Sequence, residues 1–303
     1  MQNISEKFFN NMHEIRDGSS GVIGNVYYTK IPDAIGTLYT MHGYAGSPVE
    51  PIMRIAISHA IKSGFNIVAI ENVQLSVTYP IADRDLGRMN LDRHVDVLHR
   101  GLNFTKCISE LNQCGYNIAW LHSLGARAFT DLFVESPHTG SRFNSVVFNN
   151  PYFMPPARVE QKHEKSLKSD PSGMIWEKIM DRPYQTTRII DDEKYTIPAT
   201  LRNVFFPFKK LPDGRFPTFT DVMGDMSRFA GRRSIVCFIL GTDDTEAEYN
   251  KNMDVFNALQ IHNKDLYLIP NGIHTLENVL PEYDQITQVV LAKLAADAKL
   301  HRR

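Results

Sequence analysis

The chain has 303 residues, 43% of them hydrophobic and 22% charged, with a formal net charge of -1. That length suits one large domain, or one domain with a sizeable insertion, and the composition is ordinary for a globular chain. The near-neutral charge argues against nucleic acid as a partner, since phosphate binding usually needs a basic face. No apolar run approaches the roughly 20 residues of a membrane span. The first 17 residues are polar and lack the apolar centre of a secretory signal, so a cytoplasmic protein is expected.

Apolar, β-rich runs alternate with helical patterns along most of the chain. Residues 21–29 and 36–41 read as strands joined by a turn containing Pro32 and Asp33. A helical spacing follows over 48–63, with Ile52, Ile55, Ala56, His59 and Ala60 on one side, and Gly64 stops it. Residues 65–70 form the next strand, and Leu91, Val95, Leu98, Leu102 and Ile108 mark a helix over 91–111. His94 and His99, five apart on it, do not share a face and read as solvated. Further strands are expected at 116–121, 144–149, 233–240 and 265–269, and helices at 125–134, 245–260 and 278–294. Such alternation implies an α/β architecture, a largely parallel central sheet with helices on both faces.

The stretch 151–231 breaks this rhythm. It is rich in proline, charge and aromatics, including Phe153, Trp176, Tyr184, Tyr195, Phe205, Phe206, Phe208, Phe216, Phe219 and Phe229. A structureless loop of that length is improbable in a compact domain. A partly helical cap or lid inserted at 151–231 is expected, with 1–150 and 232–303 forming the core domain. Its aromatics are expected to pack among themselves or line an apolar pocket.

Three cysteines fit a reducing compartment. Cys107 and Cys114 lie seven apart on what reads as one helix, so about 10 Å separates them, beyond the ~7 Å a disulfide allows. Cys237 sits in an apolar run and reads as a core residue. None has metal-site spacing, and the thiols are expected to be buried and reduced. The basic tail (Lys299, His301, Arg302, Arg303) reads as a frayed helix end.

The chemistry concentrates at Ala119-Trp120-Leu121-His122-Ser123-Leu124-Gly125-Ala126-Arg127. An apolar strand runs into a polar pair, a small residue and helix-forming sequence. A serine on such a turn is lifted out of the sheet edge, and the helix behind it aims free N–H groups at the same point. Ser123 is therefore a candidate nucleophile, which needs a base and a group to orient that base. Parallel sheets present such groups on loops after the C-terminal strand ends. Those loops read His42-Gly43-Tyr44-Ala45-Gly46-Ser47, Gly241-Thr242-Asp243-Asp244 and Pro270-Asn271-Gly272-Ile273-His274.

The chain order serine, acid, histidine, each after a strand, resembles the α/β-hydrolase superfamily from about residue 36 to 294. The resemblance implies Asp244 as the triad acid, with Asp243 as the fallback, and His274 as the base. It implies oxyanion-hole N–H groups on Tyr44 (or Ala45) and Leu124. His42 would pin the oxyanion loop, and His42 and His122 would border the substrate pocket. Glu277 and Asn278 would cap or start the last helix. One position departs from the family's Gly-x-Ser-x-Gly elbow: Leu121 replaces the first glycine, which implies an altered turn or an adjusted neighbour. Ser123-Leu124-Gly125-Ala126-Arg127 with His274-Thr275-Leu276-Glu277-Asn278 is also similar to the fatty-acyl thioesterases that feed bacterial luminescence.

The expected activity is hydrolysis of an acyl ester or thioester through an acyl-enzyme. The partner is a small acyl substrate with an apolar portion, and neither an organic cofactor nor a metal is required. Acyl transfer from the same site, and binding of a small apolar ligand without turnover, are the alternatives; Leu121 keeps the second open. The pattern leaves acyl length and oligomeric state open.

Overall fold

A computed structural model of the chain describes residues 9–18, 21–44, 46–73, 76, 91–112, 115–155, 157–190, 193–200, 218–231 and 233–301. Its strands are β1 (Asn11–Arg16), β2 (Val22–Thr29), β3 (Gly36–Met41), β4 (Phe65–Asn72), β5 (Asn117–His122), β6 (Ser145–Asn149), β7 (Pro183–Ile190), β8 (Glu193–Thr200), β9 (Ile235–Gly241) and β10 (Lys264–Ile269). The helices are α1 (Pro51–Lys62), α2 (Leu91–Lys106), α3 (Ser109–Asn112), α4 (Leu124–Glu135), α5 (Pro137–Gly140), α6 (Ala157–Ser169), α7 (Met174–Met180), α8 (Phe219–Ala230), α9 (Tyr249–Ala258) and α10 (Leu280–His301).

Eight strands form one sheet in the order β1-β2-β4-β3-β5-β6-β9-β10. From β4 onward every neighbour is parallel, while β2 runs antiparallel to both β1 and β4. The two strands flanking Pro32 and Asp33 are not sheet neighbours, because β4 lies between them. Residues along each central strand alternate between two cores, as the two-residue period of a strand requires. Tyr39, Val68, Ala119, Leu121, Phe148 and Phe238 face a core shared with α2, α4, α8 and α9. Leu38, Ile67, Trp120, Val147, Cys237 and Ile239 face a second core with α1 and α10. Leu121 thus uses its bulk in the packing of the first core.

Several expectations needed revision. β1 was not foreseen, because its residues show no clean alternation; only Ile15 of its six is buried. The helix over 91–111 is two pieces, α2 ending at Lys106 and the short α3. Cys107 lies just past α2 and is exposed, while Cys237 is buried, so the thiols are not both core groups. Cys114 lies outside the described residues. The last helix continues to His301, so Lys299 and His301 belong to regular helix. His94 is fully buried and His99 half-buried, because α2 packs against both β4 and α4.

The region 151–231 carries α6, α7, a β7–β8 hairpin that pairs with no strand of the main sheet, and α8. Its aromatics do not pack only among themselves. Phe153 and Phe229 join the main core, where Phe229 meets Phe129 and Phe133 edge-on at 5.5 and 5.1 Å. Trp176 is buried beside His163, and Phe219 is partly exposed. Phe205, Phe206, Phe208 and Phe216 lie outside the described residues.

Candidate active site

The parallel strands deliver their C-terminal ends to one edge, and the loops that leave that edge carry the polar residues. β5 ends at His122, α4 begins at Leu124, and the single residue between them is Ser123. Its backbone sits at φ 52° and ψ -126°, a conformation that side-chain-bearing residues avoid. The turn is held by neighbours. Ser123 N–H donates to the Asn149 carbonyl at 3.1 Å, and its own carbonyl accepts from the Tyr152 N–H at 3.0 Å. Leu121 does not prevent the elbow, because its side chain points into the core between Met41 and Phe148, its strand neighbours.

Close approach on the far side of the turn demands glycine. A Cβ at Gly125 would stand 2.7 Å from the Met41 carbonyl oxygen and 2.8 Å from that of His42. A Cβ at Gly43 would overlap the Ser123 Cβ. Gly43 therefore sets the loop after β3 directly against the serine.

Ser123 Oγ lies 2.7 Å from His274 Nε2, and His274 Nδ1 lies 2.9 Å from Asp244 Oδ2. All three residues are buried, at 6%, 5% and 4% exposure respectively. The carboxylate accepts from Nδ1–H, which leaves the Nε2 lone pair for the serine hydroxyl proton. The other Asp244 oxygen accepts the N–H groups of Glu246 and Ala247, each at 2.9 Å. Burial is the largest single influence on this carboxyl and pushes its pKa up. The adjacent His274 and the two N–H donors together outweigh it and hold Asp244 below the usual carboxylate range. Asp243 points elsewhere: its side chain is exposed, and its N–H donates to the Gly272 carbonyl at 3.0 Å.

The oxyanion candidates flank the serine. Leu124 is the first residue of α4, so its N–H has no carbonyl within the helix to bond. A Cβ on Gly43, immediately before Tyr44, would stand 2.8 Å from Ser123 Oγ and 3.2 Å from Leu124 N, so this loop lies close against the serine turn. Tyr44 is half-buried against the first core, and Ala45 lies outside the described residues.

The ring nitrogens of both His42 and His122 are engaged by protein groups. His42 is 1% exposed; its Nε2 accepts the Asn72 N–H at 3.2 Å and its Nδ1–H donates to the Gly43 carbonyl at 2.7 Å. It pins the loop after β3 to the end of β4, the anchoring role expected of it. Behind it, His94 donates from Nε2 to the His42 carbonyl at 3.2 Å, and its Nδ1 meets the Asn72 side-chain amide at 3.3 Å. Burial lowers the pKa of both rings, that of His94 to about 3, so both are neutral. The His122 ring lies 5.4 Å from that of His274, centroid to centroid. Its Nδ1 meets the Glu50 carboxylate at 3.1 Å and its Nε2–H donates to the His274 carbonyl at 3.3 Å.

Glu277 and Asn278 start the last helix as a 3₁₀ turn that runs into α10 at Leu280. Two contacts escaped the sequence reading. The Asn278 side chain also holds the histidine loop: its Oδ1 accepts the Ile273 N–H at 3.2 Å and its Nδ2 donates to the Asn271 carbonyl at 2.7 Å. Asn150, the residue after β6, reaches both the acid strand and the histidine loop. The Asn149-Asn150-Pro151 turn signal marked a strand end but said nothing of where the amide points. Among the described residues no cluster of three or more His, Cys, Asp or Glu is arranged to hold a metal ion. No helix among them is long and apolar enough to cross a membrane.

No family model matches the sequence, and no curated protein matches it. Solved structures do resemble this one. Est1E from Butyrivibrio proteoclasticus superposes with a TM-score of 0.63 at 14% identity, over 95% of this chain and 100% of its own. A carboxylesterase of the ammonia-oxidising thaumarchaeon Nitrososphaera gargenis gives 0.59 at 16% identity, over 94% and 100%. Carboxylesterase CesB from Bacillus subtilis gives 0.54 at 14% identity, over 95% and 93%. With the strand order and the parallel core, these likenesses show that the chain has the α/β-hydrolase fold.

Proposed function

We propose that this protein is a serine hydrolase that cleaves an acyl ester or thioester through an acyl-enzyme. The observation that carries the reading is the unbroken hydrogen-bond chain from Asp244 through His274 to Ser123 Oγ, ending on a strained turn at a helix N-terminus. His274 takes the Ser123 proton as Oγ attacks the acyl carbonyl. Asp244 holds the imidazole tautomer and stabilises its cation. The Leu124 N–H and one from Tyr44 or Ala45 stabilise the oxyanion, each worth about 3–4 kcal/mol. His274 then protonates the leaving group, and water activated by the same imidazole releases the acid.

The neighbours and the loops support a substrate class. Several resembling structures are esterases or lipolytic enzymes, and one holds ferulic acid bound to Est1E. These support a small carboxylic ester as the substrate here. The similarity of the serine and histidine segments to fatty-acyl thioesterases extends the class to thioesters with an apolar acyl chain. The insertion at 151–231 is read as the cap of this enzyme.

A panel of p-nitrophenyl acyl esters, a hydroxycinnamate methyl ester and acyl thioesters tests the reading. Ser123→Ala is expected to lose at least about 10³-fold in kcat/KM on every substrate the native chain turns over, with Tm preserved. Turnover that survives the substitution sinks the assignment.

A further inference from the structure

We infer that Asn150 is a positioning residue for the general base, and that it couples the acid and base loops through one side-chain amide. The inference rests on the serine-hydrolase reading of Ser123, His274 and Asp244. Asn150 is fully buried at the C-terminal end of β6, with its backbone at φ 38°. Its Nδ2 donates to the Ile273 carbonyl at 3.0 Å and to the His274 carbonyl at 2.9 Å. Its Oδ1 accepts the Gly241 N–H at 2.8 Å, and its own N–H donates to the Ile239 carbonyl at 2.9 Å.

The partners fix the amide's orientation. A flipped side chain would set its oxygen against two carbonyl oxygens and its NH₂ against an N–H. One amide therefore ties the end of β9, three residues before Asp244, to the backbone of the base itself. The His274 carbonyl also accepts from His122 Nε2 on the strand before the serine. The base is gripped from β5 and β6 at once, although its loop reaches this point through the left-handed Asn271 (φ 60°). The His274 ring must meet Ser123 Oγ and Asp244 Oδ2 together. A rotation of its backbone would lengthen one of those bonds, and a misplacement of about 1 Å can cost about 100-fold in rate.

The test compares the native chain with Asn150→Gly and Asn150→Asp. Glycine keeps the left-handed backbone and removes the amide. Aspartate keeps shape and backbone but turns a carboxylate toward two carbonyls. With p-nitrophenyl butyrate, kcat is expected to fall about 10- to 100-fold in both while KM stays within about threefold. Asn150→Asp also adds negative charge beside His274, so the acid limb of its kcat/KM profile is expected to move to higher pH. Asn150→Ser, which retains one donor, is expected to lose less and serves if the other two do not fold. A readout independent of turnover is the downfield proton resonance of His274 Nδ1–H, assigned by its loss in His274→Ala. It is expected to broaden or vanish in Asn150→Gly. Native kcat and an unchanged resonance in any folded member of the set overturn the inference, even if Tm falls, since that is what a merely structural role gives. Native turnover that survives Ser123→Ala overturns the functional reading instead.

Discussion

The two edges of the parallel sheet make their turns with different residues. At the edge where the parallel strands begin, glycine takes two of the left-handed positions among the described residues, Gly64 entering β4 at φ 88° and Gly115 preceding β5 at φ 66°, and Asp33 before β3 takes a third at φ 54°. At the opposite edge, Ser123, Asn150, Glu248, Asn271 and Leu276 take positive φ between 38° and 60°. Glycine adopts these conformations freely, whereas other residues lose roughly 1–3 kcal/mol. Strain is accepted where a side chain is needed at the turn: a hydroxyl at Ser123, an amide at Asn150. Such clustering is expected where structure is held in place for chemistry.

The sharpest way to break this comparison is to add bulk where the site loops cross. Gly241, at the end of β9, packs against the Gly272 carbonyl so closely that a Cβ on Gly241 would overlap it. That contact sets the acid loop against the histidine loop. Gly241→Ala is expected to cost about 1–3 kcal/mol and to lower kcat/KM about 100-fold. Thermal melts and kinetics read both; a variant with native activity and native Tm would show that the two loops are positioned independently.

Protonation tests the neutral imidazoles behind the site. His94 has its pKa depressed from 6.5 to about 3 by burial, and His42 is shifted the same way. The unfolded chain therefore binds protons that the folded chain refuses. The stability from the His94 ring is complete above about pH 6.5 and falls by up to about 1.4 kcal/mol per pH unit as pH drops toward 3, and that from His42 falls in the same direction. His94→Gln is expected to flatten the dependence of Tm on pH between 6.5 and 5. An unchanged slope would mean that His94 is charged in the folded protein.

The smallest effects form a mirror pair. Gly115→Ala meets no atom of the described residues within 4 Å, so its effect is one of φ: a loss of about 1 kcal/mol with kcat untouched. Ser123→Gly is expected to be about 1 kcal/mol more stable than Ser123→Ala, because only the glycine is at ease at φ 52°, ψ -126°. Equal stability of the two Ser123 variants would remove the claim of strain at the elbow.

Much of this edge was legible in the sequence because it depends on periodicity and turn chemistry. The strands before Ser123 and His274, and the one ending at Gly241 just before Asp244, are apolar runs whose ends are marked by polar or glycine-rich loops, and chain order then supplied the constellation. The roles of His94, His122 and Asn150 were hidden for one reason: each is set by a partner distant in sequence. His94 looks like the polar face of an amphipathic helix until β4 and α4 close over it. The sequence beside His122 gives no sign that its nitrogens meet Glu50, 72 residues away, and the His274 carbonyl, 152 residues away. Asn150 carries only a turn signal, and its amide meets Gly241 from 91 residues away and His274 from 124. β1 was missed because an edge strand with one buried residue leaves no alternation to read.

The most direct measurement is labelling with a fluorophosphonate, followed by peptide mass spectrometry to locate the adduct. An activated serine in a formed oxyanion site predicts stoichiometric modification of Ser123, slowed in His274→Ala and absent in Ser123→Ala. A native, folded chain that takes no label, or takes it at another residue, would contradict the account.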